Sequence, residues 1–219
     1  MAWSDWIRGV EVTPSLYAAD FRRLGDEIDG LLGAGCRVFH FDCGDGHFIP
    51  PVTMGPVVVR SIAPGIHAAG GVLDCHLMVD DPVHHLEEFA ASGADSVSFH
   101  VEAVDDPAAV AEAARERGLA VGVVFNPETA PARAADADIV LCMSIHPGYS
   151  GQAFMPEAIG RIAELATLVD VPIQVDGGVG DDNAAALRDA GASLFVAGNA
   201  VFGDPDPAAA YRRLRAAVA

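Results

Sequence analysis

Short apolar runs rich in β-branched residues alternate along this chain with Ala-, Leu-, Arg- and Glu-rich stretches. The runs at 10–16 (VEVTPSL), 37–43 (RVFHFDC), 72–78 (VLDCHLM), 96–102 (SVSFHVE), 120–125 (AVGVVF), 139–145 (IVLCMSI), 172–176 (PIQVD) and 194–198 (LFVAG) predict eight strands. Between them the pattern predicts helices near 20–34, 55–63, 82–92, 107–117, 129–135, 156–168, 181–190 and 207–218. Asp20 is expected to open the first helix. Asp81–Pro82 and Asp106–Pro107 each place an Asp cap before a proline of the first turn. Gly93, Gly118 and Gly191 stand where helices should end. Eight strands in strict alternation with helices over 219 residues predict a single (β/α)8 barrel domain spanning 1–219. The alternative is an open doubly wound sheet, which the lack of a GxGxxG after the first strand weakens.

Composition and charge then narrow the chemistry. Thirty-one Asp and Glu stand against 13 basic residues, for a formal net charge of −18, and all 13 are arginine. That balance lacks the basic footprint of a nucleic-acid binder or an anionic-membrane binder. A chain without lysine forms no side-chain Schiff base, which excludes lysine-aldolase and PLP chemistry. No stretch approaches the ~20 apolar residues of a membrane span. The opening MAWSDWIRGV has acid and Trp where a secretion signal needs a basic start and an apolar run. Cys36, Cys43, Cys75 and Cys142 form no CxxC pair, so a cytoplasmic protein with reduced thiols is expected.

The unusual residues gather at the C-terminal ends of the strands, where barrel active sites lie. They are Ser15, His40 and Asp42, His76, His100 and Glu102, Met143, Ser144 and His146, and Asp176. His40 and Asp42 are two apart on a strand and share a face, with alpha carbons ~6.7 Å apart. Cys43 and Cys75 then face the helices, as packing residues. Two histidines and two carboxylates suit a divalent ion such as Zn, Fe, Mn or Co. Taken singly, a strand histidine is more often a satisfied core residue, and Asp-Gly-Gly at 176–178 is by default a turn. Glycine-rich segments at 146–152 (HPGYSGQ), 176–180 (DGGVG) and 197–203 (AGNAVFG) follow the last three strands. Such loops hold a phosphate through backbone N–H groups, which needs no lysine.

The strings TPSLYAADFRRLGDEI (13–28), HFDCGDGHFIPPVTMGP (40–56), DCHLMVDDP (74–82), MSIHPGYSGQAFMPEAIGRI (143–162), VDGGV (175–179) and VAGNAVFG (196–203) occur in the order found in ribulose-phosphate 3-epimerases. The chain resembles that family over nearly its whole length. The resemblance implies a ribulose-phosphate-binding (β/α)8 barrel with one divalent metal ion and no organic cofactor. It carries the metal ligands onto His40, Asp42, His76 and Asp176, and the acid/base pair onto Asp42 and Asp176. It places substrate contacts at Ser15, His76, Met78, Met143, Gly148, Tyr149, Ser150, Gly151, Asp176, Gly177, Gly178, Gly198 and Asn199. The expected reaction is epimerisation at carbon 3 of a small phosphorylated ketose, D-ribulose 5-phosphate to D-xylulose 5-phosphate. Removal of that proton, next to the carbonyl, leaves an enediolate, and inversion needs a carboxylate on each face. A homo-oligomer, dimer or hexamer, is expected by the same resemblance, with no nucleic-acid or membrane partner.

Some positions depart from the family pattern. Gly44 replaces a methionine, Pro51 an asparagine, His146 an Asn or Glu, and Asn199 a small residue, while GFGG reads GYSG. Loss of a methionine at 44 is expected to leave room for a larger or differently substituted sugar. The alternatives are therefore a 3-epimerase of another ketose phosphate, or a non-catalytic sugar-phosphate-binding barrel. A decarboxylase or lyase on the same barrel would need an Asp-x-Lys motif, and His40-Phe41-Asp42 stands in its place. His47 is expected to order the loop after the second strand, and His84 and His85 to lie on a helix surface. His100 and Glu102 read as a satisfied barrel-interior pair or as supports for the site. Trp3 and Trp6 read as an anchor for the N-terminus or as an oligomer contact.

Overall fold

Eight parallel strands pair in the order β1-β8-β7-β6-β5-β4-β3-β2 in a computed structural model that describes residues 3–7, 9–132 and 137–219. They are β1 (Glu11–Pro14), β2 (Val38–Gly44), β3 (Val72–Met78), β4 (Ser96–His100), β5 (Ala120–Phe125), β6 (Ile139–Met143), β7 (Ile173–Asp176) and β8 (Leu194–Ala197). A parallel bridge between Ser15 and His40 joins β1 to β2 and closes the ring. The result is a (β/α)8 barrel, and the open-sheet alternative falls.

The helices are α1 (Trp3–Trp6), α2 (Leu24–Gly33), α3 (Pro56–Ala68), α4 (Pro82–Ser92), α5 (Pro107–Glu116), α6 (Glu157–Leu168), α7 (Ala184–Asp189), α8 (Asn199–Phe202) and α9 (Pro207–Val218). Asp81 and Asp106 cap α4 and α5 by accepting backbone N–H bonds from the first turn. Asp20 does not cap α2. Its carboxylate accepts from the Arg22 N–H and its carbonyl from the Arg23 N–H. That local turn delays the helix to Leu24. Helix α3 runs past the expected end, through Pro64 to Ala68, because Val59, Ala63 and Ile66 form one buried stripe. Of the helix expected at 129–135, residues 129–132 are not helical, and 133–136 lie outside the described residues. The single-turn helices α1 and α8 carried no periodic signal of their own.

Alternation sorts the strand residues. Phe39, Phe41, Cys43, Leu73, Cys75, Leu77, Val97, Phe99, Val121 and Val123 face the helices and join the main core. All four cysteines are buried there. The opposite face of the strands fills the barrel in layers. Val38, Val72, Ala120, Ile139 and Leu194 form the floor, and Trp3 of α1 plugs it from below at 1% exposure. This favours the anchoring reading of Trp3. Above the floor lies a polar layer of Asp74, Ser96, Ser98 and Gln174, all buried. His40, Asp42, His76, His100 and Asp176 follow toward the C-terminal mouth. Among the described residues no helix is long and apolar enough to cross a membrane.

Candidate active site

Four strand positions converge at the mouth. His40 and Asp42 come from β2, His76 from β3 and Asp176 from the last residue of β7. Register sets Asp42 directly beside His76 on the neighbouring strand. One ligand atom from each of His40, Asp42, His76 and Asp176 lies within 4.8 Å of all the others. His40 Nε2 is 3.4 Å from Asp42 Oδ1 and 3.8 Å from Asp176 Oδ2. His76 Nδ1 is 3.3 Å from the same Asp42 oxygen and 3.5 Å from the same Asp176 oxygen.

The opposite nitrogens of the two histidines are engaged elsewhere. His40 Nδ1 donates to Asp74 Oδ2 at 3.1 Å. Asp74 also accepts from Ser96 Oγ at 2.6 Å, Ser98 Oγ at 3.3 Å and Gln174 Nε2 at 3.2 Å. This arrangement leaves His40 Nε2 buried without a hydrogen bond and aimed at two carboxylates. A buried imidazole nitrogen without a hydrogen-bond partner, facing carboxylate oxygens, fits a divalent cation with nitrogen and oxygen ligands, as Zn, Fe, Mn or Co accept. The remaining oxygen of Asp42 accepts a 2.6 Å bond from Ser15 Oγ.

Burial pushes the Asp42 carboxyl up, but His40 and His76 outweigh it and hold the group well below the usual carboxylate range. Burial likewise disfavours a charged His40, and the Asp42 and Asp74 carboxylates reverse that and hold its imidazole well above the ordinary value. His100 goes the other way. Burial pushes it down to about 4, against the pull of Glu102.

Above these groups opens a cavity of about 280 Å³. Ser15, Asp42, Met78, Met143, Gly148, Tyr149, Ser150, Gly151, Asp176, Gly177, Gly178, Gly198 and Asn199 all line it. Of the substrate contacts read from the sequence, only His76 is outside that wall; it lies fully buried beneath it with His40. Tyr17, Ile145, Gln152, Val179, Val196 and Ala200 also line the cavity and were missed. Gln152 had a signal, as the last residue of the HPGYSGQ segment. Asp74 was missed although it stands two residues before His76, on the same inward row. Among the described residues the lining includes no arginine.

The glycine loops are held close. Gly177 has φ 119°, and a Cβ there would lie 2.4 Å from Ile145 Cγ1. Gly178 has φ 64°, and a Cβ would lie 2.9 Å from the Phe154 backbone nitrogen. Only glycine lets β7 turn this tightly under the cavity.

Of the departures, Tyr149, Ser150 and Asn199 line the cavity, whereas Gly44, Pro51 and His146 do not. His146 pairs with Glu128 at 3.1 Å on the exposed rim. Pro51 packs under Gly148. The room expected beside Gly44 is filled, because a Cβ at 44 would lie 2.4 Å from Ile49 Cδ1 and 3.0 Å from the Pro51 carbonyl. The loop after β2 is ordered by Asp45 rather than by the His47 side chain. Asp45 accepts from the backbone of His47, Phe48 and Asp80. His100 Nδ1 lies 3.4 Å from Glu102 without a formed hydrogen bond, and His100 Nε2 lies 2.8 Å from His76 Nε2, so the pair reads as support for the site and not as a satisfied interior pair.

The sequence model described as the ribulose-phosphate 3 epimerase family matches residues 11–202. A ribulose-phosphate 3-epimerase of Mycobacterium tuberculosis (strain ATCC 25618 / H37Rv) is 39% identical over 216 residues, 94% of this chain and 92% of that protein. One from Bacillus subtilis (strain 168) is 37% identical over 217 residues, covering 94% and 98%. A solved 3-hexulose-6-phosphate synthase shares the fold, with a TM-score of 0.69 at 23% identity over 96% of this chain and 100% of that one. The strand-end quartet, the glycine loops beside it and this similarity over nearly the full length agree: the chain belongs to the ribulose-phosphate 3-epimerase family.

Proposed function

We propose that residues 1–219 form one catalytic unit that interconverts D-ribulose 5-phosphate and D-xylulose 5-phosphate by inverting carbon 3. The observation that carries this reading is the placement of Asp42 and Asp176. Both line one small cavity from strands separated by β1 and β8 in the ring, with His40 and His76 beneath. A cavity of about 280 Å³ suits a small phosphorylated sugar.

In this reading one aspartate takes the carbon 3 proton and the other returns a proton from the opposite face of the planar enediolate. The direction of reaction decides which is the base. Ser15 fixes the Asp42 carboxylate by donating to Oδ2. His40, Asp42, His76 and Asp176 would hold a divalent ion, which when bound supplies Lewis-acid stabilisation of negative charge on the sugar oxygens. Met78, Met143 and Ile145 give the cavity an apolar side that keeps water from the reacting carbon. The loops at Gly148–Gly151, Gly177–Gly178 and Gly198–Asn199 are suited to the phosphate, since backbone N–H groups can approach it where no arginine among the described residues lines the cavity. Ile49 fills the room beside Gly44, so that departure does not favour a larger sugar.

The test is exchange of the carbon 3 hydrogen of ribulose 5-phosphate with deuterated solvent, followed by NMR on metal-loaded protein. Asp42→Asn and Asp176→Asn are each expected to lower exchange and turnover by about 10²–10⁴-fold. Fructose 6-phosphate is expected to exchange far more slowly than ribulose 5-phosphate. Full exchange in both variants would contradict the two-carboxylate reading.

A further inference from the structure

His76 presents Nδ1 to the carboxylates, and its other ring nitrogen, Nε2, lies 2.8 Å from Nε2 of His100. Both rings are fully buried and nearly parallel, with centroids 5.0 Å apart. Two imidazole nitrogens at that distance must share one proton. Two bare nitrogens would oppose lone pairs, and two N–H groups would clash. The proton can sit on either ring, and the choice is made further out.

His100 Nδ1 is buried without a formed hydrogen bond and faces Glu102 Oε2 at 3.4 Å. The other Glu102 oxygen accepts the Asn126 backbone N–H at 2.9 Å, which anchors the carboxylate. An ionised carboxylate only accepts, so its charge favours the His100 tautomer that carries the proton on Nδ1. Its Nε2 is then bare and accepts from His76 Nε2–H. That leaves His76 Nδ1 as the nitrogen free to bind an ion. Phe48 packs on the outer ring of the chain, with centroids 4.7 Å apart, and limits its rotation.

We propose that Glu102 and His100 are positioning residues that fix the tautomer of His76 and so prepare its Nδ1 as a metal ligand. The two histidine ligands are prepared differently. A carboxylate sets His40 directly, through Asp74, whereas a carboxylate sets His76 across an intervening ring. The inference rests on the reading of His76 as a ligand.

Long-range ¹H–¹⁵N spectra of the metal-free parent, with ¹⁵N-histidine, read the chain directly. The expected signature is a proton on Nε2 of His76 and on Nδ1, not Nε2, of His100. Affinity for Co(II), followed by its visible absorption, supplies the second readout. His100→Leu is expected to weaken Co(II) binding about 10–100-fold. His100→Gln places an amide oxygen near the former Nε2 and is expected to recover most of that loss. A His76 carrying its proton only on Nδ1 would overturn the proposal, even if the variants failed to fold. A folded His100→Leu binding Co(II) as tightly as the parent would overturn it alone. A parent that binds no Co(II) would overturn it together with the metal reading of the site.

Discussion

Position 44 continues the inward row of His40 and Asp42 on β2, and the space its side chain would take holds Ile49, 1% exposed. The pair behaves as one filled volume, since a Cβ would lie 2.4 Å from the Ile49 side chain. Gly44→Ala is expected to destabilise the fold by about 1–3 kcal/mol through overpacking. Ile49→Ala should cost about 2–5 kcal/mol as a cavity. The double variant should be more stable than the sum of those losses by about 1 kcal/mol or more. A double-mutant cycle by urea unfolding checks this, and additive losses would show that the two positions do not share the space. Sequence alone showed that a side chain was missing at 44. It could not show which neighbour had moved in, because Ile49 lies five residues on in an irregular loop.

At the scale of the element, the loop between β2 and α3 hangs on Asp45. Its carboxylate accepts from His47 N at 2.8 Å, Phe48 N at 2.9 Å and Asp80 N at 2.9 Å, so it ties the β2 loop to the β3 loop. Burial opposes the charged form, but the three backbone bonds together outweigh it and hold the carboxyl below its ordinary value. A carboxyl with a depressed folded value contributes above its unfolded value, near 4, and loses that contribution as the pH falls through the folded value. Asp45→Asn should therefore lower Tm by roughly 2–4 °C at pH 7, for about 1 kcal/mol at a partly buried site. The gap to the parent should narrow as the pH falls from 4 toward 2. A gap that stays constant across that range would mean that the charge of Asp45 does not matter.

The elements themselves were legible where their signals were local. Asp81 and Asp106 cap as their sequence positions suggested, and α4 and α9 span the expected residues. Strand ends were less legible. The expected β4 ran to 102, but the chain turns into a single 3-10 turn at Val101–Ala103, and that turn delivers Glu102 to His100. Apolar periodicity carries no information about such a turn. The four metal-site candidates were visible because each sits on the inward face near the C-terminal end of a strand, β2, β3 or β7, and matches the family motifs. Asp74 and Gln174 share the inward face, but buried polar residues read as structure until their partners are seen.

For the whole molecule, polarity is stratified along the barrel axis. The floor is apolar and sealed by Trp3; the middle holds Asp74 with its hydroxyl and amide partners; the mouth holds the reactive groups. The −18 charge counted along the sequence speaks against polyanionic partners, yet it leaves a small phosphate open, because loop N–H groups can hold one without any arginine in the glycine loops. The floor should matter to stability and not to the site. Trp3→Ala is expected to cost about 3–5 kcal/mol in urea unfolding. The kcat of the folded variant should stay within about two-fold of the parent. A large fall in kcat with unchanged stability would reverse that assignment.

That plug also fixes what light can report. The chain has two tryptophans, Trp3 and Trp6, and both belong to α1, with ring centroids 5.3 Å apart in an edge-on pair. Nearly all indole emission therefore originates at the end of the barrel opposite the reactive mouth. Quenching by acrylamide or a red shift on heating would register the floor coming loose, while ligand arriving among Asp42, Asp176 and the glycine loops would pass unseen. A tryptophan placed at Tyr149, on the exposed rim, would give the mouth a fluorescent voice of its own.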